Sequence, residues 1–457
     1  MKTSEELLKK SVEIPAEILD DAVVAAQTMS TALPQTHVVA RTKNYWHMLG
    51  PGLTTGASDD DPSGIATYSQ TGAQFGFKFL WLAPLTFPLM AIVQEMCARI
   101  GLVTGRGLAG NIRIHFSPAV LRTCTLALFV ANTFNIGADL GAMAKAVQLL
   151  NPRFNFGLVV VALGLISLYL QIFTPYVKYA RYLKWLAMIL FAYVFSALMA
   201  HLNWHQVASA TVIPHINFNK DEILLVAAIL GTTISPYLFF WQTSQEVEEQ
   251  ILRGKTTLHD RRVVTSKADM KSMRVDVWSG MFLSNLVMFF IIAACGGVLF
   301  TNGITHIQTT AQAAEALKPL AGNATSFLFS LGIIGTGMLA IPVLAGASSY
   351  AFAESFKWKE GLYRNLNQAH AFYGIIIISM VVGLGLNFVG IDPIKALIYA
   401  AIGNALAAPI ILALIVIISS NKKVMGHWVN KPYVTILGWI VTVLMTVAGI
   451  AAIFALF

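Results

Sequence analysis

Gly50-Pro51-Gly52-Leu53-Thr54-Thr55-Gly56-Ala57-Ser58-Asp59-Asp60-Asp61-Pro62-Ser63-Gly64 lies within an apolar stretch, and its reading decides the fold. The apolar segments on either side of the aspartates are too short to cross a membrane separately; only together do they make a span. Charge at membrane depth is costly, so three consecutive carboxylates there point to a cation site. Pro62 and Gly64 break the helix and free backbone carbonyls that can also face a cation. Irregular backbone at that depth survives only where it is buried in protein or lines a wet cavity. The competing reading is a surface turn, for which Asp-Asp-Pro-Ser-Gly is ordinary chemistry.

The rest of the chain supports a membrane setting. Of 457 residues, 56% are hydrophobic and 12% charged, against about 25% charged in a soluble domain. Eleven spans are expected, over 44–75 (broken), 77–102, 120–150, 156–173, 183–203, 222–246 (broken), 275–300, 323–352, 370–390, 393–419 and 432–457. With the N-terminus in the cytosol, 24 of the 31 basic residues fall in cytosolic segments, five in external ones and two within spans. The net charge of +8 is therefore a topology signal, and a nucleic-acid role is excluded. Cys97, Cys124 and Cys295 have no metal-ligand spacing and read as small core residues.

A second interruption, Gly231-Thr232-Thr233-Ile234-Ser235-Pro236-Tyr237, falls in the sixth span. Both interruptions place small hydroxyl residues just before a mid-span proline. Paired Gly/Pro-interrupted segments in corresponding halves point to a transporter site between inverted repeats. The expected organisation is a cytosolic N-terminal segment (1–43), one repeat of five helices (44–203), a second of five (204–419), and an added eleventh helix (420–457).

Asp61, directly before the first break, is the leading ligand candidate. Asp60 is expected to face the same cavity and Asp59 to be a solvated flank. Carboxylates so close repel unless a cation or proton sits among them, and a divalent cation fits that charge. Thr232 and Ser235, at i and i+3, share a helix face and offer hard oxygens toward Asp61. The plainer alternative is a proline kink whose hydroxyls satisfy the freed carbonyls. Glu95 is a candidate in the cytosolic half, against a packing carboxylate paired with Arg99 at i+4. Glu246, Glu248 and Glu249 read as a solvated helix end.

The first span, from Gly50-Pro51-Gly52 through Asp61-Pro62-Ser63-Gly64 to Gly72-Ala73-Gln74-Phe75-Gly76, resembles the Nramp family of divalent metal transporters. That family carries a Gly-Pro-Gly, an Asp-Pro-Gly-Asn break and a Gly-Ala-x-Phe-Gly. Ala98-Arg99-Ile100-Gly101-Leu102-Val103-Thr104-Gly105 is similar to another family stretch, Ala138-Asp139 resembles an Ala-Glu pair, and Asp276 and Asn285 fall where the family often has Asp and Asn. The resemblance covers most of spans 1–8. It implies an all-α polytopic fold of the LeuT-like type, with 5+5 inverted-repeat helices plus an eleventh and with helices 1 and 6 broken.

The departures matter as much as the matches. The family Asn is Gly64 here, and the sixth-span Met-Pro-His is Ser235-Pro236-Tyr237. The family Met supplies a thioether to Mn²⁺ and Fe²⁺. Soft ligands favour transition metals, whereas oxygens and water suit Mg²⁺, which is usually held by one or two carboxylates with several waters. The pattern is similar to the divergent Nramp-related magnesium transporters. Tyr237 titrates too high to replace a His as a proton relay; Asp139 keeps one acidic group of that route. The expectation is an alternating-access importer of Mg²⁺, also Mn²⁺, with Asp61, Asp60, Thr232, Ser235 and the Gly64 region at the metal and no proton coupling. The alternative is a proton-coupled Mn²⁺/Fe²⁺ importer of the ordinary Nramp type. No enzyme activity and no cofactor is expected, the metal being substrate. A monomer in a bacterial inner membrane is expected, with a cytosolic N-terminus and an external C-terminus.

Overall fold

A computed structural model describes residues 50–174, 188–263 and 265–456. The expected N-terminal segment, the start of the first span and residues 183–187 of the fifth lie outside the described residues. Among the described residues the secondary structure is entirely helical. The longer helices, in chain order, are α1 (Pro51–Asp59), α2 (Pro62–Phe75), α3 (Leu82–Thr104), α4 (Leu108–His115), α5 (Pro118–Leu150), α6 (Phe156–Phe173), α7 (Phe191–Met199) and α8 (Trp204–Val212). They continue as α9 (Lys220–Thr233), α10 (Pro236–Leu252), α11 (Lys267–Cys295), α12 (Thr325–Phe356), α13 (His370–Leu386), α14 (Pro393–Ser419) and α15 (Pro432–Leu456).

Eight spans among the described residues are long and apolar enough to cross a membrane, or nine if α7 with its preceding turn and α8 count as one bent span. The chain is a multi-pass membrane protein. Eleven is not reproduced by that measure, because the first span is cut into helices of 9 and 14 residues and α13 has only 17. The expected fifth span also differs. Its described part ends at Met199, and the chain turns 118° into α8. The second span begins at Leu82 rather than 77, after a turn through residues 76–81.

Both expected breaks are present, with nearly the same backbone. Asp60 (φ −83°, ψ 52°) leaves α1 and Asp61 (φ −69°, ψ 172°) is extended before Pro62. Ile234 (φ −110°, ψ 59°) leaves α9 and Ser235 (φ −80°, ψ 130°) is extended before Pro236. A residue preceding proline is pushed out of the helical region, and proline suits the first helical position because its missing N–H would be unpaired there anyway. Each proline thus ends one helix and starts the next.

α11 positions the first break. Its Gly280 faces Gly52 and Gly56 of α1 so closely that a methyl at Gly56 would stand 2.3 Å from the Gly280 carbonyl oxygen. Small residues at this spacing let membrane helices approach backbone to backbone. Asp276 of α11 supplies the cap that α1 lacks: its carboxylate accepts from the backbone N–H groups of Gly50 (2.7 Å), Gly52 (2.6 Å) and Leu53 (3.0 Å). α5, α12 and α14 close the other side of the bundle. The three cysteines are free and buried, as their spacing predicted.

Candidate metal site at the paired helix breaks

The two breaks adjoin one another. A methyl built on Gly64 would lie 3.2 Å from Thr232 Oγ1 and 3.3 Å from the Asp59 carbonyl oxygen, so the first break, Gly64 and Thr232 surround one point. Tyr68 of α2 meets Thr233 of α9 at 3.2 Å, hydroxyl to hydroxyl. Tyr237, in the first turn of α10, donates to the Ser58 carbonyl at 3.1 Å, one of the carbonyls that the end of α1 leaves without a helical partner. Thr55 of α1 donates to Gln242 of α10 at 2.6 Å.

The aspartates have distinct surroundings. Asp61 caps α2: Oδ1 accepts from Ser63 Oγ (2.6 Å) and Gly64 N (2.8 Å), and Oδ2 from Asn135 Nδ2 of α5 (3.0 Å). A carboxylate has roughly four lone-pair sites, so three are taken and little of Asp61 is left over. Asp60 receives only a long 3.4 Å contact from Ser284 Oγ, whose proton is shared with Asp59 at 2.6 Å. Asp60 therefore has the freer carboxylate. Asp59 is no solvated flank. It is fully buried, because α11 covers it and presents Ser284, and its Oδ1 has no partner. The surface-turn reading fails with it, since all three side chains are buried.

In the second break, Thr232 and Ser235 are buried. Ser235 Oγ donates back to the carbonyls of Gly231 (2.8 Å) and Thr232 (2.7 Å). This is the plainer reading of the kink; Ser235 offers only its lone pairs. Met288 Sδ lies 3.9 Å from Thr233 Oγ1, so a thioether stands beside this break although Ser235 occupies the position of the family Met. Asp139 sits one turn along α5 from Asn135, buried, with both carboxylate oxygens unpartnered.

Glu95 lies elsewhere. It accepts from Arg274 (2.9 and 3.0 Å) and Trp278 (2.8 Å) of α11, with Arg99 only at 4.0 Å. Arg274 is ten residues from Ser284, about 15 Å along the helix. The partner expected from spacing, Arg99, is second to one from another helix. Glu246 and Glu248 are buried rather than solvated: Gln242 donates to Glu246, and Tyr350 and the Leu362 amide donate to Glu248. Glu249 pairs with Arg253 on the surface, as expected of a helix end.

Asn135, Ser284 and Tyr68 join the breaks without belonging to either interrupted motif. Asn135 had a signal, since it stands four residues before Asp139 and so on the same helix face. Ser284 adjoins Asn285, and nothing local marks it. Among the described residues no three His, Cys, Asp or Glu side chains converge as a preformed metal cage. The break instead gathers one capped carboxylate, one freer carboxylate, hydroxyls and carbonyl ends. That set suits a hard cation that keeps part of its water.

Paired broken helices in a multi-pass helical bundle define a membrane protein of the transporter type. A family model described as "Natural resistance-associated macrophage protein-like" matches residues 52–455. The chain belongs to the Nramp family. It is 25% identical over 87% of its length to a divalent metal cation transporter, MntH, of Caldanaerobacter subterraneus subsp. tengcongensis, covering 90% of that protein. A Klebsiella pneumoniae protein of the same name is 24% identical over 87% of this chain and 91% of its own. Among solved structures, a variant of the Eremococcus coleocola manganese transporter superposes with a TM-score of 0.68 at 18% identity, over 91% of this chain and 87% of that one. Mhp1 in an inward-facing conformation gives 0.51 at 16% identity, over 89% of both chains. These likenesses establish the fold; the relatives are named as transporters, not enzymes.

Proposed function

We propose that the protein carries divalent metal cations across the membrane by alternating access around the paired breaks, with Mg²⁺ as preferred cargo and Mn²⁺ also accepted. The observation that carries this is the juxtaposition of the two breaks: the buried Asp59-Asp60-Asp61 run of the first stands beside Thr232 of the second, with Gly64 between the Asp59 carbonyl and the Thr232 hydroxyl. Buried oxygens on Asp59, Asn135 and Asp139 have no partner, and Asn135 is tied to the first break through its amide bond to Asp61. Each would cost about 1–3 kcal/mol if left without water or a cation. Asp60 and Asp61 supply the anionic charge, Thr232, Ser235 and carbonyls near the breaks supply neutral oxygens, and the metal's own waters complete the shell. The preference for Mg²⁺ rests on Ser235 and Gly64, which stand where the family has a thioether and an amide. Transport of Mn²⁺ is supported by Met288 beside the second break and by the manganese named for the Eremococcus coleocola structural neighbour, the sequence relatives being named as divalent metal cation transporters.

Metal-dependent flux into proteoliposomes tests the reading, with Mg²⁺, Mn²⁺ and Ca²⁺ offered singly and in competition. Excess Mg²⁺ is expected to suppress Mn²⁺ uptake strongly. Asp61→Ala is expected to abolish uptake. It also removes the three hydrogen bonds that Asp61 accepts, a net loss of about 3 kcal/mol on the scale of bonds to charged groups, so uptake is read only on protein shown to be folded. Near-normal uptake by purified, monodisperse Asp61→Ala would sink the assignment, and Mn²⁺ uptake indifferent to excess Mg²⁺ would favour the ordinary manganese and iron importer.

A further inference from the structure

Remote from the breaks, the molecule carries a second polar feature that transport does not use. A cavity of about 590 Å³ opens between α3, α11 and the start of α15. Arg99, Lys267, Lys271, Arg274 and Lys431 line it, against a single carboxylate, Glu95. Arg274 and Trp278 already occupy that carboxylate, so the cavity is strongly positive. Arg99 is 6% exposed. One of its nitrogens donates to Asn430, yet its Nε is buried and has no partner. A buried guanidinium with a spare donor on a basic cavity wall is suited to a phosphate oxygen.

We propose that this cavity binds the headgroup of an anionic phospholipid. Phosphate is the recognised chemistry, and the walls argue for a lipid as its source. The charged mouth is formed by Lys267, Lys271 and Lys431, all exposed. Beside them the lining is apolar and aromatic, with buried Ile92, half-buried Trp278 and Val434, and exposed Tyr433. Trp278 lies eleven residues from Lys267, about 16 Å along α11. A free phosphate ion has no use for that apolar wall, whereas the glycerol and first methylenes of a lipid can lie against it. Trp and Tyr beside Lys and Arg is the composition of a membrane–water interface. The distribution of basic residues assigns this end of the bundle to the cytosolic leaflet, where anionic lipids attract basic pockets between helices. The inference is independent of which metal is carried.

The test uses the full chain in mild detergent and native mass spectrometry, with phosphatidylglycerol and phosphatidylcholine as competing probes. The parent protein is expected to retain phosphatidylglycerol preferentially. The variant Lys267→Gln/Lys271→Gln/Lys431→Gln is expected to lose that retention by about tenfold or more, since each interfacial cation contributes a few-fold. Lys422→Gln/Lys423→Gln, which removes two exposed lysines outside the cavity, is expected to keep it. The single variant Lys271→Gln, at an exposed position, should show a few-fold loss and guards against misfolding of the triple. Equal retention of both lipids by the parent, or unchanged retention by the triple and single variants, would overturn the proposal. Inorganic phosphate that displaces phosphatidylglycerol and binds with the same lysine dependence would also overturn it, in favour of a soluble anion.

Discussion

Asp61 and Asp60 divide roles that looked alike in the sequence. Asp61 spends most of its carboxylate on the α2 cap and Asn135, so it is held in one orientation, whereas Asp60 is left open to a cation. If Asn135 orients Asp61 for the metal, Asn135→Ala should weaken apparent metal affinity by about tenfold, the scale of losing a group that orients a ligand, with maximal flux less affected. Unchanged half-saturating metal concentrations in a concentration series of uptake would exclude that role. Selectivity belongs to the same scale. Ser235→Met with Gly64→Asn restores the two side chains that the family has and this chain lacks. The pair should lose Mg²⁺ relative to Mn²⁺ and gain Cd²⁺, a thioether suiting the softer ions. Tenfold needs only about 1.4 kcal/mol. The side chain at Gly64 must displace the Thr232 hydroxyl, 3.2 Å from where its Cβ would stand, so the two breaks must adjust together. A folded, Mn²⁺-transporting double variant with the parental preference would remove Gly64 and Ser235 as the selectivity determinants.

At the scale of elements, α11 is the member that sets the first break. It caps α1 through Asp276, packs against it through Gly280, and turns Ser284 toward Asp59 and Asp60. Asp276→Ala would leave three backbone N–H groups without their ionised acceptor. Hydrogen bonds to charged groups are worth about 1.5–3 kcal/mol each and are not additive, so a net loss of about 3 kcal/mol is expected. A fall in melting temperature in detergent reports it, with Asp276→Asn falling less. A melting temperature equal to the parent's would mean that α1 is anchored elsewhere. The break itself was legible because proline chemistry is local: Pro62 and Pro236 announce where each helix must restart. The cap was not legible. Asp276 stands more than 200 residues from Gly50, and nothing near either residue pairs them.

For the whole molecule, the question is what the transport cycle moves besides metal. Tyr237 stands where the family has His, and its hydroxyl is committed to the Ser58 carbonyl. A phenol keeps its proton at the pH where imidazole exchanges it. Metal uptake is therefore expected to proceed without proton movement, driven by the membrane potential. Recording pH inside liposomes during Mn²⁺ uptake checks this. Acidification that scales with metal flux would restore a proton route, for which Asp139, buried one turn from Asn135 on α5, is the acidic group at hand.

The sequence alone was enough for the membrane class, both breaks, the acidic run within the first of them and the family, because apolar runs, prolines and consecutive charges act within one or two helical turns. Tertiary structure decided the rest. It buried Asp59, gave Asp61 an amide partner from α5, folded the Ser235 hydroxyl back onto its own helix, and drew Glu95 to Arg274 instead of Arg99. Apart from the Ser235 bonds, which are local to the break, each of these depends on which helix face meets which neighbour. In a bundle whose helices are apolar nearly all round, sequence periodicity carries little record of that choice.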